Sequence, residues 1–182
     1  MYPVHEAMTN DGAALFRAIC EQPAEDTPRL VYADWLDENS QPDRAEFIRL
    51  QCEAWNLCPA YPMLTEARTR ASVLQRQFGD QWYEELPIIP GVQWGALFVR
   101  GFVDAAEILA LDDLPRAING LFAAVPLRYL TVTSLRRRQL RQLLTCPFLV
   151  RLVSLRLPGT QGRGDAQLLT EAQKRFPRLE IY

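Results

Sequence analysis

The stretches RLVYADWLDE (29–38) and RAEFIRLQ (44–51) decide the fold of the first half of this chain. Both place apolar and aromatic residues at helical spacing. Asp26-Thr27-Pro28 is a helix start signal before the first stretch, and Pro42 opens the second. We therefore predict two helices, over 28–38 and from residue 42 onward, separated by a short turn.

Two further helices are predicted around this pair. Thr9, Asn10 and Asp11 offer caps for a helix that ends before Pro23, and a longer helix should cover 63–78 and end at Gly79. About four helices joined by short links predict a helical module over residues 9–90.

The second half of the chain, residues 91–182, has a repeating pattern. The segments 103–108, 127–132, 152–157 and 176–181 each carry apolar or small residues at their first, fourth and sixth positions. Their starts are 24, 25 and 24 residues apart. A helix-like segment separates each strand from the next, over 114–124, 135–144 and 166–176. A period of 20 to 29 residues with an L-x-x-L-x-L core is typical of leucine-rich repeats.

The repeat is degenerate, because the turn positions that usually hold asparagine are occupied by Leu111, Leu135 and Thr160. An ordinary α/β domain with evenly spaced strands is therefore the alternative. The preferred prediction is an α/β protein in which the helical module is packed on a short, degenerate leucine-rich-repeat-like solenoid.

The first region resembles the bacterial repeat-companion domain. The hallmark of that family reads close to P-R-L-V-Y-A-D-W-L-D/E-E, then a turn, then R-A-E-F-I-R-L-Q, and residues 28–38 and 44–51 match it at nearly every position. The match is looser over 63–82, and residues 99–103 are similar to the Arg-Gly-Phe segment that often links such modules to following repeats. The resemblance implies a helical module that accompanies leucine-rich-type repeats, without an established enzymatic activity, cofactor or catalytic residue.

Composition restricts the class of function. A net charge of −2 gives no overall attraction to nucleic acid or anionic lipid. No apolar run approaches the roughly 20 residues of a membrane span, and the first eight residues do not form a targeting signal. The four cysteines are Cys20, Cys52, Cys58 and Cys146; they are far apart, which is typical of reduced thiols in a cytoplasmic protein.

The acids of the two stretches invite a metal or general-acid interpretation, since Asp34 and Glu38 share a helix face. Nearby arginines favour an ion-pair network around aromatic rings instead. The residues expected in this ion-pair and aromatic core are Arg29, Tyr32, Asp34, Trp35, Arg44, Glu46 and Phe47. The single histidine, His5, lies near the N-terminus, and no loop gathers oxygen ligands, so we expect no enzyme activity, metal or cofactor.

Two surfaces of the second half are candidates for binding. Alternate strand side chains should form an outer face, with Tyr129, Thr131, Thr133, Ser154, Arg156, Arg178 and Glu180 as partner-binding residues. A basic cluster consists of Arg136, Arg137, Arg138 and Arg141. We expect a non-enzymatic protein-interaction module that acts as an adaptor or accessory subunit of a larger bacterial assembly. The alternative is association with nucleic acid, as part of a complex, through the basic cluster; the repeats could also cap the helical module and bind nothing.

Overall fold

Four helices occupy the first half of the chain, and strands alternating with helices occupy the second. A computed structural model describes residues 10–56, 62–109, 114–158 and 163–182. The helices of the first half are α1 (Asn10–Glu21), α2 (Thr27–Glu38), α3 (Pro42–Asn56) and α4 (Pro62–Glu84). The α/β class predicted from the sequence is confirmed.

The second half begins with four short strands, which are β1 (Val92–Trp94), β2 (Phe98–Val99), β3 (Phe102–Val103) and β4 (Ala105–Ile108). After them come α5 (Leu114–Ala124), β5 (Tyr129–Val132), α6 (Arg137–Leu144), a 3₁₀ turn (Pro147–Arg151), β6 (Ser154–Arg156), α7 (Arg163–Arg175) and β7 (Glu180–Ile181). Leu111, Thr160, Cys58 and His5, which the sequence analysis discussed, lie outside the described residues.

The chain forms two units that interleave between residues 88 and 103. One unit contains the residues up to Pro87 together with Phe98–Phe102, and the other contains Ile88–Leu97 together with Val103–Tyr182. We call them the helical unit and the strand unit. The sequence placed a single division near residue 90, but Phe98–Phe102, which contains β2 and the first residue of β3, belongs to the helical unit.

Two apolar clusters form the core of the helical unit. The first contains Ile19, Tyr32, Ala33, Leu36, Ala45, Ile48, Cys52 and Phe102, and the second contains Phe47, Ala71, Leu74 and Trp82. Residues of α2 supply the first cluster, and α3 supplies both. The stretches 29–38 and 44–51 decide this fold because α3 packs against α2 with one set of side chains and against α4 with another.

Helix α4 does not end at Gly79, where the sequence predicted its end, but continues to Glu84. Trp82 lies in this extra turn, and its ring centroid is 4.7 Å from that of Phe47 and 5.7 Å from that of Phe78. A glycine inside a helix costs about 1 kcal/mol relative to alanine. Truncating a buried tryptophan costs about 3 to 5 kcal/mol, so the packing of Trp82 outweighs the glycine.

The strand unit is built on a five-stranded sheet with the order β1-β4-β5-β6-β7. Strand β1 is antiparallel to β4, and the other neighbours are parallel. Ala105 pairs with Tyr129, Tyr129 with Ser154, and Ser154 with Glu180, so successive paired positions are 24, 25 and 26 residues apart. Because the strand order never reverses, right-handed crossovers place α5, α6 and α7 on the same face of the sheet.

Burial alternates along these strands and identifies the face that the helices cover. Ala106, Ile108, Leu130, Val132 and Leu155 are at most 5% exposed, whereas the residues between them are half-buried or exposed. The apolar residues at the predicted fourth and sixth repeat positions therefore form the core between the sheet and its helices.

Some predicted boundaries of the repeat were wrong. The fourth strand, predicted over 176–181, is only Glu180–Ile181, because Pro177 has no N–H to donate to a ladder and the Leu179 N–H turns back to the oxygen of Phe176 at 3.1 Å. The strand predicted over 127–132 begins at Tyr129, and the helix predicted over 135–144 begins at Arg137. The helix predicted over 166–176 covers Arg163–Arg175.

Two glycines in helices should respond to alanine in opposite ways. A Cβ added to Gly12 in α1 would lie 2.5 Å from two ring carbons of Trp35, whereas at Gly79 its nearest neighbour is the flexible Gln75 side chain at 3.2 Å. We expect Gly12→Ala to lower the melting temperature by several degrees and Gly79→Ala to leave it unchanged or raise it. Equal melting temperatures for the two variants, measured by circular dichroism, would show that Trp35 does not pack on α1 as described.

Candidate interaction surfaces

Arg29 is fully buried in α2, and backbone oxygens replace the water that its charge would otherwise bind. Its Nη2 donates to the oxygen of Pro23 at 2.9 Å, and its Nη1 lies 3.5 Å from the oxygen of Arg100. The guanidinium carbon is 5.4 Å from the ring centroid of Phe102. Arg29 thus holds the link between α1 and α2 against the segment 98–102.

Arg100 is the second buried arginine of the helical unit, and the sequence analysis assigned it no role. It is 3% exposed, and its Nη1 donates to the oxygen of Ala24 at 2.7 Å and to Asp26 Oδ1 at 2.9 Å. Its Nη2 donates to the oxygen of Pro23, which Arg29 also uses. The two arginines therefore share the acceptors of one loop.

The backbone conformation of residues 100 and 101 explains why the sequence has an Arg-Gly-Phe segment here. Arg100 has φ +49° and Gly101 has φ +89°, a conformation that glycine adopts without steric cost. A Cβ on Gly101 would also lie 2.5 Å from Cγ1 of Ile48. A glycine between two short Phe-Val pairs is the sequence signal of this tight turn, which directs Arg100 and Phe102 into the helical unit.

Arg44 lies among aromatic rings rather than in the ion-pair network that the sequence predicted. Its guanidinium carbon is 4.5 Å from the ring centroid of Trp82 and between 5.3 and 5.7 Å from those of Phe47, Phe98 and Phe102. Burial lowers the pKa of Arg44 to about 10, and the nearby Glu85 carboxylate opposes that change. Cation–π attraction stabilises this half-buried charge.

The acids of the two stretches form ion pairs at the surface. Arg49 of α3 binds Asp34 at 2.7 Å and Asp37 at 2.6 Å, while Arg70 of α4 binds both oxygens of Glu46 at 2.8 and 2.7 Å. Such exposed pairs contribute about 0 to 1 kcal/mol each. They link α2 to α3 and α3 to α4.

The predicted aromatic residues lie in the cores described above. Tyr32 and Trp35 stack with ring centroids 5.5 Å apart, and burial raises the pKa of Tyr32. Cys52 is buried as well, and burial raises the pKa of its thiol to about 12, which keeps it protonated and unreactive at neutral pH. In the described ranges, no group of three or more His, Cys, Asp or Glu side chains is placed to hold a metal ion.

The outer face of the strand unit brings together most of the predicted partner-binding residues. The register aligns Ala105, Tyr129, Ser154 and Glu180 in one row across β4 to β7. A second row contains Gln93, Glu107, Thr131 and Arg156. Tyr182 follows β7, and its hydroxyl donates to Glu180 Oε2 at 2.8 Å. The result is a polar surface with charges of both signs and two tyrosines.

Two residues predicted on this face, Thr133 and Arg178, do not lie in these rows. The hydroxyl oxygen of Thr133 lies 3.0 Å from the oxygens of both Ile108 and Leu109, so this side chain donates to the backbone at the end of the neighbouring strand β4. Arg178 lies in the turn between α7 and β7, not in a strand. Gln93 and Tyr182 were missed, because β1 is antiparallel and outside the repeat, and residue 182 follows the last repeat position.

The basic cluster lies around the start of α6. Arg136 precedes the helix, and its N–H donates to Gln139 Oε1 at 2.9 Å. Arg137, Arg138 and Arg141 lie on the helix and are exposed. Positive side chains at a helix N-terminus oppose the helix dipole, at a cost of about 0.3 to 1 kcal/mol each in exposed positions. Arg141 lies in the last turn of α6, where the dipole favours a positive charge, so helix stability leaves only Arg136, Arg137 and Arg138 unexplained.

Comparison with protein-family models, curated proteins and solved structures found no match for this chain. None of the helices in the part of the chain that the structure describes combines the length and hydropathy that crossing a bilayer requires.

The Glu46–Arg70 pair makes a pH-dependent prediction. The hydrogen bonds from Arg70 lower the pKa of Glu46 in the folded state, so the stabilisation is present above the unfolded pKa near 4.5 and is lost as pH falls through the folded value. We expect Glu46→Gln to melt slightly below the wild type at pH 7, with the difference closing below about pH 4. Adding Arg70→Met to Glu46→Gln should cause little further loss at pH 7. A difference that persists unchanged at low pH would contradict this account.

Proposed function

We propose that the chain is a non-enzymatic protein-interaction module whose strand unit binds another protein on the outer face of its sheet. The observation that carries this proposal is that helices cover one face of a largely parallel sheet and leave the other face exposed. Parallel sheets are normally covered on both faces. Here α5, α6 and α7 pack on one face, while Tyr129, Arg156 and Glu180 on the other are exposed.

The chemistry of this face suits a protein surface. Tyrosine and arginine are the residues that most often dominate binding energy in protein interfaces, and both occur here with Glu107 and Glu180 nearby. Five strands about 4.8 Å apart give the face a width of roughly 19 Å, which is enough for a helix or a strand pair of a partner. Charges of both signs favour a partner with complementary, mixed charges.

The resemblance to the repeat-companion domain supports the same proposal for the whole chain. Strand pairings 24 to 26 residues apart, with one helix between successive parallel strands, agree with a degenerate leucine-rich-type array that follows such a domain. Solenoids of that type bind proteins on their strand face. We place the protein in a larger cytoplasmic assembly of a bacterium, as an adaptor or accessory subunit.

Association with nucleic acid through Arg136, Arg137, Arg138 and Arg141 is the second candidate. The placement of Arg136, Arg137 and Arg138 at the start of α6, against the helix dipole, favours a role for them beyond folding. The net charge of −2 does not support it. Binding of this kind would weaken steeply with added salt and would be removed by nuclease.

The test is affinity purification from the native host with the wild type and two variants, followed by measurement of Kd for the partner identified. Tyr129→Ala combined with Arg156→Glu should weaken that complex at least tenfold, because interface hot spots contribute about 2 kcal/mol or more. Lys174→Glu, on the exposed side of α7, is the control and should bind like the wild type.

Equal affinity of all three proteins for the partner would remove the sheet face as the binding site. Loss of the partner after nuclease treatment, with a steep salt dependence, would replace the proposal by the nucleic-acid candidate.

A further inference from the structure

A groove lies between α6 and α7 in the helix layer of the strand unit, away from the sheet face proposed above. Its volume is about 470 Å³, within the range of binding clefts. The residues that line it are Arg137, Arg141, Leu144, Thr145, Gln167, Leu168, Glu171, Ala172 and Arg175. The sequence analysis noted the first two arginines but not that α7 completes a site with them.

The groove gathers positive charge from two helices. Arg137 and Arg141 are four residues apart and share one face of α6, and Arg175 comes from the last turn of α7. Among the described residues that line the groove, Glu171 alone is acidic. Arg141 and Arg175 lie in the last turns of their helices, where the helix dipole favours a positive charge. Their side chains also line the same groove as Arg137, and this concentration of positive charge attracts an anionic ligand.

The groove also has an apolar part. Leu144 and Ala172 are buried, and Leu168 is half-buried. A ligand that fits must therefore offer an apolar group to these side chains and negative charge to the arginines. Carboxylates suit this arrangement, because a guanidinium binds both oxygens of a carboxylate in a planar, two-pronged geometry.

We propose that this groove binds a short acidic peptide segment of a partner protein, with one aliphatic side chain on Leu144, Leu168 and Ala172 and flanking carboxylates on Arg141 and Arg175. Nucleic acid fits less well. None of the lining residues in the described ranges is aromatic, so bases would find no ring there to stack on. Glu171 would also repel phosphates, whereas it can accept a hydrogen bond from a peptide N–H.

The probe is a fluorescein-labelled synthetic peptide, Glu-Asp-Glu-Leu-Asp-Glu, titrated with the full chain at low salt and followed by fluorescence anisotropy. The same peptide with serine in place of leucine and a short single-stranded oligonucleotide are the comparison ligands. Circular dichroism verifies that each protein variant is folded.

The decisive variants are two double substitutions that change the net charge equally and lie on the same two helices. Arg141→Glu with Arg175→Glu reverses charges in the groove, and we expect it to weaken the peptide about a hundredfold, roughly tenfold for each pair lost. Arg138→Glu with Lys174→Glu reverses charges that do not line the groove, and it should weaken the peptide less than about threefold. The serine peptide should bind the wild type several-fold more weakly than the leucine peptide.

The proposal is overturned if both double variants lose affinity equally, since that result describes a diffuse basic surface. Tighter binding of the oligonucleotide than of the peptide, or no binding of the peptide to the wild type, also overturns it. None of these results bears on the sheet face, because the groove lies in the helix layer and Tyr129 and Arg156 are unchanged.

Discussion

Two buried guanidinium groups, those of Arg29 and Arg100, impose the constraint on which the helical unit depends. A buried charge is tolerated only where hydrogen-bond acceptors replace its water. The oxygen of Pro23 accepts from both arginines, and Ala24 and Asp26 complete the set for Arg100. Asp26 Oδ2 also accepts from Asn56 Nδ2 at 2.7 Å, so this one carboxylate joins α3 to the loop between α1 and α2.

That constraint fixes the path of the chain after the four helices. Arg100 can reach its acceptors only if residues 98–102 return to the helical unit, and the turn at Gly101 provides the close approach to Ile48 that this requires. The segment also supplies Phe98 and Phe102, which lie beside the Arg44 guanidinium. The charges of Arg29 and Arg100 are thus stabilised by oxygens of one loop, and the charge of Arg44 by aromatic rings.

The sequence predicted the parts of the fold that follow from local patterns. The start signals Asp26-Thr27-Pro28 and Pro42 gave the beginnings of α2 and α3, and the repeat spacing gave β4, β5 and β6 within two or three residues. It failed where packing between distant residues overrides local preference. Gly79 did not end α4, because Trp82 beyond it packs on Phe47, and Arg44 lies on rings that come from residues 47, 82, 98 and 102. The candidate surfaces show the same contrast between local pattern and tertiary packing. Strand alternation predicted Tyr129 and Arg156 on the sheet face, but no local pattern indicated that Arg175 and Arg141 line one groove.

The measurement that tests the central claim most directly is the unfolding free energy of Arg100→Met, obtained from urea denaturation beside Arg178→Met as an exposed control. The account predicts a loss of about 3 kcal/mol for Arg100→Met, because the oxygen of Ala24 and Asp26 Oδ1 lose their donor and the oxygen of Pro23 keeps only Arg29. The control should lie within about 0.5 kcal/mol of the wild type. Equal stability of Arg100→Met and Arg178→Met would contradict the claim that the buried arginines hold the helical unit together.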